Sequence, residues 1–182
     1  MTPALETARI LLRPLTLDDA PQIQELFPDW EVVKYLNARV PWPYPPDGAF
    51  TWIRDFALPA MARNEEWQWT LRPKSDCSRI IGAIGLHRGS TDNRGFWITP
   101  PWRGQGLVTE AVFAVNDYWF EVLGFPVLRA PKAVANEASR RISQKTGMRL
   151  IGTEQRPLVS GVLPAEVWEI TAEEWRAFRE RV

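Results

Sequence analysis

The chain has 182 residues, with 22 Lys plus Arg against 22 Asp plus Glu and 45% hydrophobic residues. Balanced charge provides no overall field for nucleic acid or an acidic membrane surface, and the apolar content suffices for a real core. One cysteine and one histidine exclude an internal disulfide framework and a His/Cys metal cluster, and fit a reducing compartment.

The first residues, MTPALETARILLRPL, lack the apolar core and cleavage site of a signal peptide. No run approaches the roughly 18 apolar residues of a spanning helix. These features predict a cytoplasmic protein that engages neither membrane nor nucleic acid. ARILLRPLT alternates apolar and charged residues as a strand does, with Pro14 confining it to an edge or an end. TLDDAPQIQELF opens with Thr16 and Asp19 at capping-box spacing and carries Ile23, Leu26 and Phe27 on one helical face. RVPWPYPPDG reads as a stiff extended loop, and Asp47 as the cap of a helix GAFTWIRDFALPAMARN that Pro59 weakens. Three strands follow, EWQWTLR, RIIGAIGLH and RGFWIT, joined by the turn-like links PKSDCS and RGSTDN.

After Pro100 the period changes. Leu107, Ala111, Ala114, Val115, Tyr118 and Val122 share one helical face, and Gly124 ends it. VLRAPKAVA reads as a strand bulged at Pro131, and Asn136 opens a short helix that Gly147 closes. MRLIGTEQ and AEVWEIT are final strands before a closing helix, AEEWRAFRERV. With no repeat and no dividing linker, residues 1–182 are expected to form one α/β domain with a mixed sheet and a strand–helix–strand crossover between about 95 and 135. Most of the ten tryptophans are expected in the core and the rest along a pocket wall.

RGQGLV joins a strand to a helix, so the backbone N–H groups of Gly104 to Val108 include the orphan donors of that helix. With the positive end of the helix dipole they suit a pyrophosphate, and Arg103 adds a cation. The stretch has neither the spacing and lysine of a nucleoside-triphosphatase loop nor a full dinucleotide fingerprint after the first strand. Glycines at such a junction also serve as a plain tight turn.

The run GFWITPPWRGQGLVTEAV resembles the acyl-CoA-binding motif of the GNAT superfamily of N-acetyltransferases, Arg/Gln-x-x-Gly-x-Gly/Ala after a strand. TARILLRPLTLDDA, IIGAIGLH and NEASRRISQKTGMRLIG, in that order, are similar to the subgroup of ribosomal-protein N-terminal (RimJ/RimL-like) acetyltransferases, and the likeness covers nearly the whole chain. Val108 departs from the pattern, which usually has Gly or Ala there. Its side chain must point away from the pyrophosphate, or the loop must open slightly.

The resemblance implies the acyl-CoA N-acyltransferase fold: a mixed, mostly antiparallel sheet with two splayed parallel central strands and flanking helices. GFWIT and VLRAPKAVA would be those strands, with the pantetheine of acetyl-CoA lying between them. The backbone of Phe96, Trp97 and Ile98 would then bind pantetheine and polarise the thioester. Arg103 and the N–H groups of Gly104, Gln105, Gly106, Leu107, Val108 and Thr109 would hold the pyrophosphate. Asn136 would hold the pantetheine arm, and Ser139 would serve the leaving thiolate as proton donor or hydrogen-bond donor. Local sequence alone favours the plainer reading, Asn136 as an N-cap and Ser139 as an ordinary first-turn residue.

Trp42 and Tyr44 in the proline loop, and His87, are candidates to contact an acceptor; Trp30, Trp67 and Trp69 either line its cleft or pack in the core. His87, Glu166 and Glu169 are candidate bases, each with an ordinary ion-pairing role as its alternative, and Glu110 suits the first helical turn. The expected reaction is direct attack of a primary amine, from a peptide N-terminus or a small molecule, on acetyl-CoA in a ternary complex without metal. Lone Cys77 has no evident partner for a covalent route. A catalytically weak acyl-CoA sensor is the alternative, and the protein is expected to be a monomer or homodimer.

Overall fold

The computed structural model describes residues 1–89 and 91–182, so the expected link RGSTDN falls partly outside the described residues, at Ser90. Among the described residues, β1 (Leu5–Glu6), β2 (Ile10–Pro14), β3 (Glu66–Pro73), β4 (Gly82–His87) and β5 (Arg94–Ile98) form one sheet in sequence order, each antiparallel to the next. β6 (Val127–Ala133), β8 (Gly161–Thr171) and β7 (Arg149–Leu158) form a second, antiparallel sheet in that order. Helix α5 (Leu107–Asp117), prolonged by a π turn over Tyr118–Val122, crosses from β5 to β6 and stops at Gly124, whose φ of 72° only glycine adopts freely.

Period-two alternation gives the first sheet two different faces. Trp67, Trp69 and Leu71 of β3 are buried toward α5, where Trp69 meets Tyr118 at 5.7 Å and Trp67 meets Trp119 at 6.3 Å, both edge-on. These tryptophans are core, as is Trp175 of the closing helix α7 (Ala172–Arg179), 5.5 Å from Phe113 of α5. The opposite face of β3 carries Gln68, Thr70 and Arg72. Asp19, 1% exposed, bonds Arg72 there at 2.7 Å and also pairs with Arg13.

Thr16 and Asp19 do form a capping box, but around a 3₁₀ turn over Leu17–Asp19, and helix α1 begins only at Ala20 (Ala20–Leu26). Helices α1, α2 (Trp30–Val33), α3 (Gly48–Trp52) and α4 (Leu58–Ala62) build a second core on this face around Ile23, Val33, Ala49 and Ile53. Pro59 does not break the run from α3 to α4. A π turn over Ile53–Ala57 separates them and places the proline in the first turn of α4, where a missing N–H costs little.

Candidate functional site

β5 and β6 are neighbours that fail to pair. At their starts, the Asn93 N–H donates to the Arg129 carbonyl at 2.7 Å, and Asn93 Oδ1 accepts from the Arg129 N–H at 2.8 Å. Three residues further along each strand, Lys132 Nζ sits 4.8 Å from the centre of the Phe96 ring. Both contacts have the same sequence offset, so the strands run parallel. Past Asn93 and Arg129, no backbone hydrogen bond joins them among the described residues.

Which groups face the gap follows from alternation along the strand. The Thr99 N–H donates to the Ile81 carbonyl at 2.9 Å and the Asn93 carbonyl accepts from the His87 N–H at 2.9 Å, so these alternate positions turn toward β4. Phe96 and Ile98 therefore turn toward β6. Arg103 Nε caps the Ile98 carbonyl at 3.2 Å, while the Phe96 and Ile98 N–H groups have no partner among the described residues. Trp97 points its backbone into the β4 ladder opposite Ala83, so of the three β5 positions expected to serve a ligand, two face the gap.

On the other wall Arg129 faces β5, and the same alternation turns Pro131 and Ala133 to the gap. Pro131 causes no bulge: the β6–β8 register is unbroken from Val127↔Thr171 to Ala133↔Ala165. Its missing N–H points where no partner strand lies, which is where a sheet tolerates proline. Orphan backbone groups in such a slot need hydrogen-bond partners, and an extended chain of amides supplies them as an added strand would.

The loop after β5 leads from the gap to α5. It makes a 3₁₀ turn over Pro100–Trp102, then passes through Gly104 at φ 73° and Gly106 at φ 79°. None of the six N–H groups from Gly104 to Thr109 donates to another group among the described residues. Together with the dipole of α5 they have the chemistry of a cradle suited to an anion. Val108 contributes only its N–H, since its side chain is buried in the core with Leu107. The loop thus has no need to open.

Arg103 is placed differently from its expected role. Its guanidinium bonds the carbonyls of Ile98 at 3.2 Å and Glu31 at 2.6 Å and so braces the loop. The cation beside the cradle is Arg9, which the sequence reading missed: it donates to the Gln105 carbonyl at 2.8 Å and pairs with Glu110. Glu110 also accepts from Thr7 Oγ1 at 2.7 Å, so it ties the β1–β2 turn to the first turn of α5.

Residues 9–149 match the family model of the acetyltransferase (GNAT) domain. The chain belongs to the GNAT family. Among relatives of this GNAT acetyltransferase, the uncharacterized N-acetyltransferase YoaA of Bacillus subtilis is 32% identical, over 84% of this chain and 86% of that protein. The uncharacterized N-acetyltransferase YnaD of the same organism is 26% identical over 94% and 98%. In fold, it is similar to the ribosomal-protein-S5-alanine acetyltransferase from Vibrio fischeri, with TM-score 0.81, 15% identity and 95% and 98% of the two chains covered. RimL, a ribosomal L7/L12 alpha-N-protein acetyltransferase solved with coenzyme A, superposes with TM-score 0.75 at 14% identity over 91% and 95%.

In this GNAT acetyltransferase, Asn136 caps α6 (Glu137–Lys145), its Oδ1 accepting from the Ser139 N–H at 3.2 Å, which leaves its Nδ2 without a partner among the described residues. Ser139 is buried, and its hydroxyl makes no hydrogen bond among them. Tyr44, Phe27 and Trp97 form a chain of rings at 5.0 and 5.4 Å, which joins the proline loop to β5 on the face opposite α5. Burial pushes the Tyr44 phenol up to about 12. His87 lies on the same face, where Nδ1 is 3.4 Å from Glu66. Trp42 is outside this chain of rings and packs against exposed Trp30 at 5.6 Å.

The carboxylates considered as bases are engaged. Glu166 accepts two bonds from Arg140 at 2.7 Å, which hold its carboxyl below the usual range, and Glu169 pairs with Arg129 and Arg149. Burial raises the Glu66 carboxyl, but hydrogen bonds from His87 and Gln68 outweigh it and leave it low. Lys132, 9% exposed, escaped the sequence reading; burial, with Arg94 nearby, pushes its ammonium down to about 7. Its signal was present, because Leu128, Ala130 and Lys132 occupy alternate inward positions and a lysine breaks that apolar pattern.

Proposed function

We propose that residues 1–182 work as one unit that transfers the acetyl group of acetyl-CoA to a primary amine, by direct attack in a ternary complex. The observation that carries this is the continuity of two surfaces: the gap-facing groups of β5 and β6 and the six N–H donors of the loop that follows, which have no partner among the described residues. The cradle suits the pyrophosphate, and the slot suits the two amides of pantetheine, with Asn136 Nδ2 available to the same arm. A gap-facing N–H of Phe96 or Ile98 polarises the thioester carbonyl, and one such donor is worth about 3 kcal/mol. The amine enters from the face of Trp97, Tyr44 and His87, attacks the carbonyl carbon, and expels the CoA sulfur.

A protein N-terminal α-amine is the favoured acceptor. Glu66, on the acceptor face, is held low by its hydrogen bonds and makes a poor base. An α-amine with pKa about 8 is partly neutral at physiological pH, whereas a lysine-type amine near 10.4 needs a strong base. Calorimetry with acetyl-CoA, followed by release of CoA thiol in the presence of alanyl and seryl peptides, polyamines or aminoglycosides, tests both halves. No heat with acetyl-CoA refutes the cofactor, and turnover confined to polyamines or aminoglycosides refutes the acceptor.

A further inference from the structure

We propose that Lys132 is the acid of the reaction: its Nζ–H donates to the departing CoA sulfur as the carbon–sulfur bond breaks. This rests on the acetyl-CoA reading above and adds the residue that completes the transfer. Arg94, Phe96 and Ile98 share one face of β5, and Arg94 Nη1 reaches Asn116 of α5 at 2.7 Å. Leu128, Ala130 and Lys132 share one face of β6, with Leu128 and Ala130 buried in the same core as α5. Lys132 therefore stands on the α5 side of the gap, against Phe96. The anion cradle opens α5, so the cofactor approaches from that side, while Trp97, Tyr44 and His87 line the other. A group on the cofactor side meets the sulfur rather than the incoming nitrogen.

The surroundings leave the amine ready to give up its proton. Arg94 beside it is 1% exposed and adds a second buried cation. Asp92, just before β5, pairs with Arg156 of β7. Glu166 lies directly opposite on β8, but its oxygens are taken by Arg140 of α6 at 2.7 Å and by Trp168 Nε1 at 3.1 Å. Among the described residues the Lys132 amine thus has no hydrogen bond or ion pair, only the Phe96 ring at 4.8 Å.

An ammonium with pKa about 7 passes its proton downhill to a thiolate whose conjugate acid lies near 8.5. A serine hydroxyl is far too weak an acid for that, which leaves Ser139 a hydrogen-bond donor. The balance is complete. Nitrogen bonds to the carbonyl carbon, the carbon–sulfur electron pair goes to sulfur, and the Lys132 proton follows it. The proton shed by the new amide nitrogen restores the ammonium through solvent.

The test is a pH titration of CoA bound to wild type, Lys132→Met and Lys132→Arg, following the ultraviolet absorbance of the thiolate. A fixed cation at this position makes the bound thiol titrate about tenfold more acidic in Lys132→Arg than in Lys132→Met, whereas in wild type the amine loses its proton first and the thiol midpoint stays close to that of Lys132→Met. With an alanyl heptapeptide as acceptor, both variants lose about 100-fold in kcat at neutral pH, since arginine keeps the charge but not the transferable proton. The same thiol midpoint in Lys132→Arg and Lys132→Met, with CoA bound to both, or an unchanged kcat in both variants, overturns the assignment of Lys132 alone. Failure of wild type to bind CoA overturns the cofactor reading along with it.

Discussion

Gly106→Asp probes the anion cradle most directly. Gly106 sits at φ 79° immediately before α5, and a Cβ built there would lie 3.3 Å from Arg9 Nη2. An aspartate has two effects of the same sign. It adds a negative charge where the six N–H donors converge, and it offers Arg9 a carboxylate partner in place of a phosphate. At about 5 Å and an effective dielectric between 20 and 80, one carboxylate against one phosphate charge costs about 1–3 kcal/mol. That is about a 5- to 150-fold rise in the Kd for CoA. The left-handed backbone adds about 1–2 kcal/mol of strain, which appears as lost stability whether or not ligand is present. Calorimetry with CoA measures the first effect and denaturant unfolding the second. S-acetylpantetheine, which lacks the phosphates, separates charge from damage, because its transfer rate in the variant should match wild type. A change in CoA affinity below twofold, or an equal loss with S-acetylpantetheine, refutes the cradle.

Asp19→Ala leaves Arg72, 2% exposed, without its carboxylate; a loss of about 3–5 kcal/mol is expected in urea unfolding. Ser139→Ala keeps the α6 cap, which uses the backbone N–H, so CoA affinity should hold in calorimetry while kcat falls by about tenfold. The Lys132 amine has a pKa of about 7 in the folded protein against about 10.4 unfolded. The unfolded chain therefore binds the extra proton between those values, and wild type loses stability as pH falls from about 10 to about 7, then levels off. Lys132→Met lacks this slope, and its stability relative to wild type should rise by a few kcal/mol across that window in unfolding series at matched pH; parallel stability–pH curves would contradict the burial of a neutral amine.

Local chemistry made much of this protein legible in its sequence. The three middle strands, the long crossover helix stopped at Gly124, the short helix between Asn136 and Gly147, and the glycine loop before α5 all follow from periodicity, caps and turn residues. Each depends on residues within a few positions of one another, and the order of motifs along the chain was enough for the family. Pro131 was misjudged because a proline's cost depends on what its missing N–H would have met, here a strand edge with no backbone partner among the described residues; the helix with Pro59 continues past it only by way of a π turn.

Only tertiary structure decided which charges stand where. Arg9 reaches the cradle from the other end of the chain, Arg103 spends its guanidinium on two carbonyls, and Glu166 and Glu169 are each taken by arginines distant in sequence. Lys132 becomes a weakly basic amine because two strands from different sheets lie side by side and bury it against Phe96, with the Arg94 charge nearby. Helices, strands and turns are fixed by neighbours in sequence. The acidity of a group is fixed by its neighbours in space, which come into being only when the chain has folded.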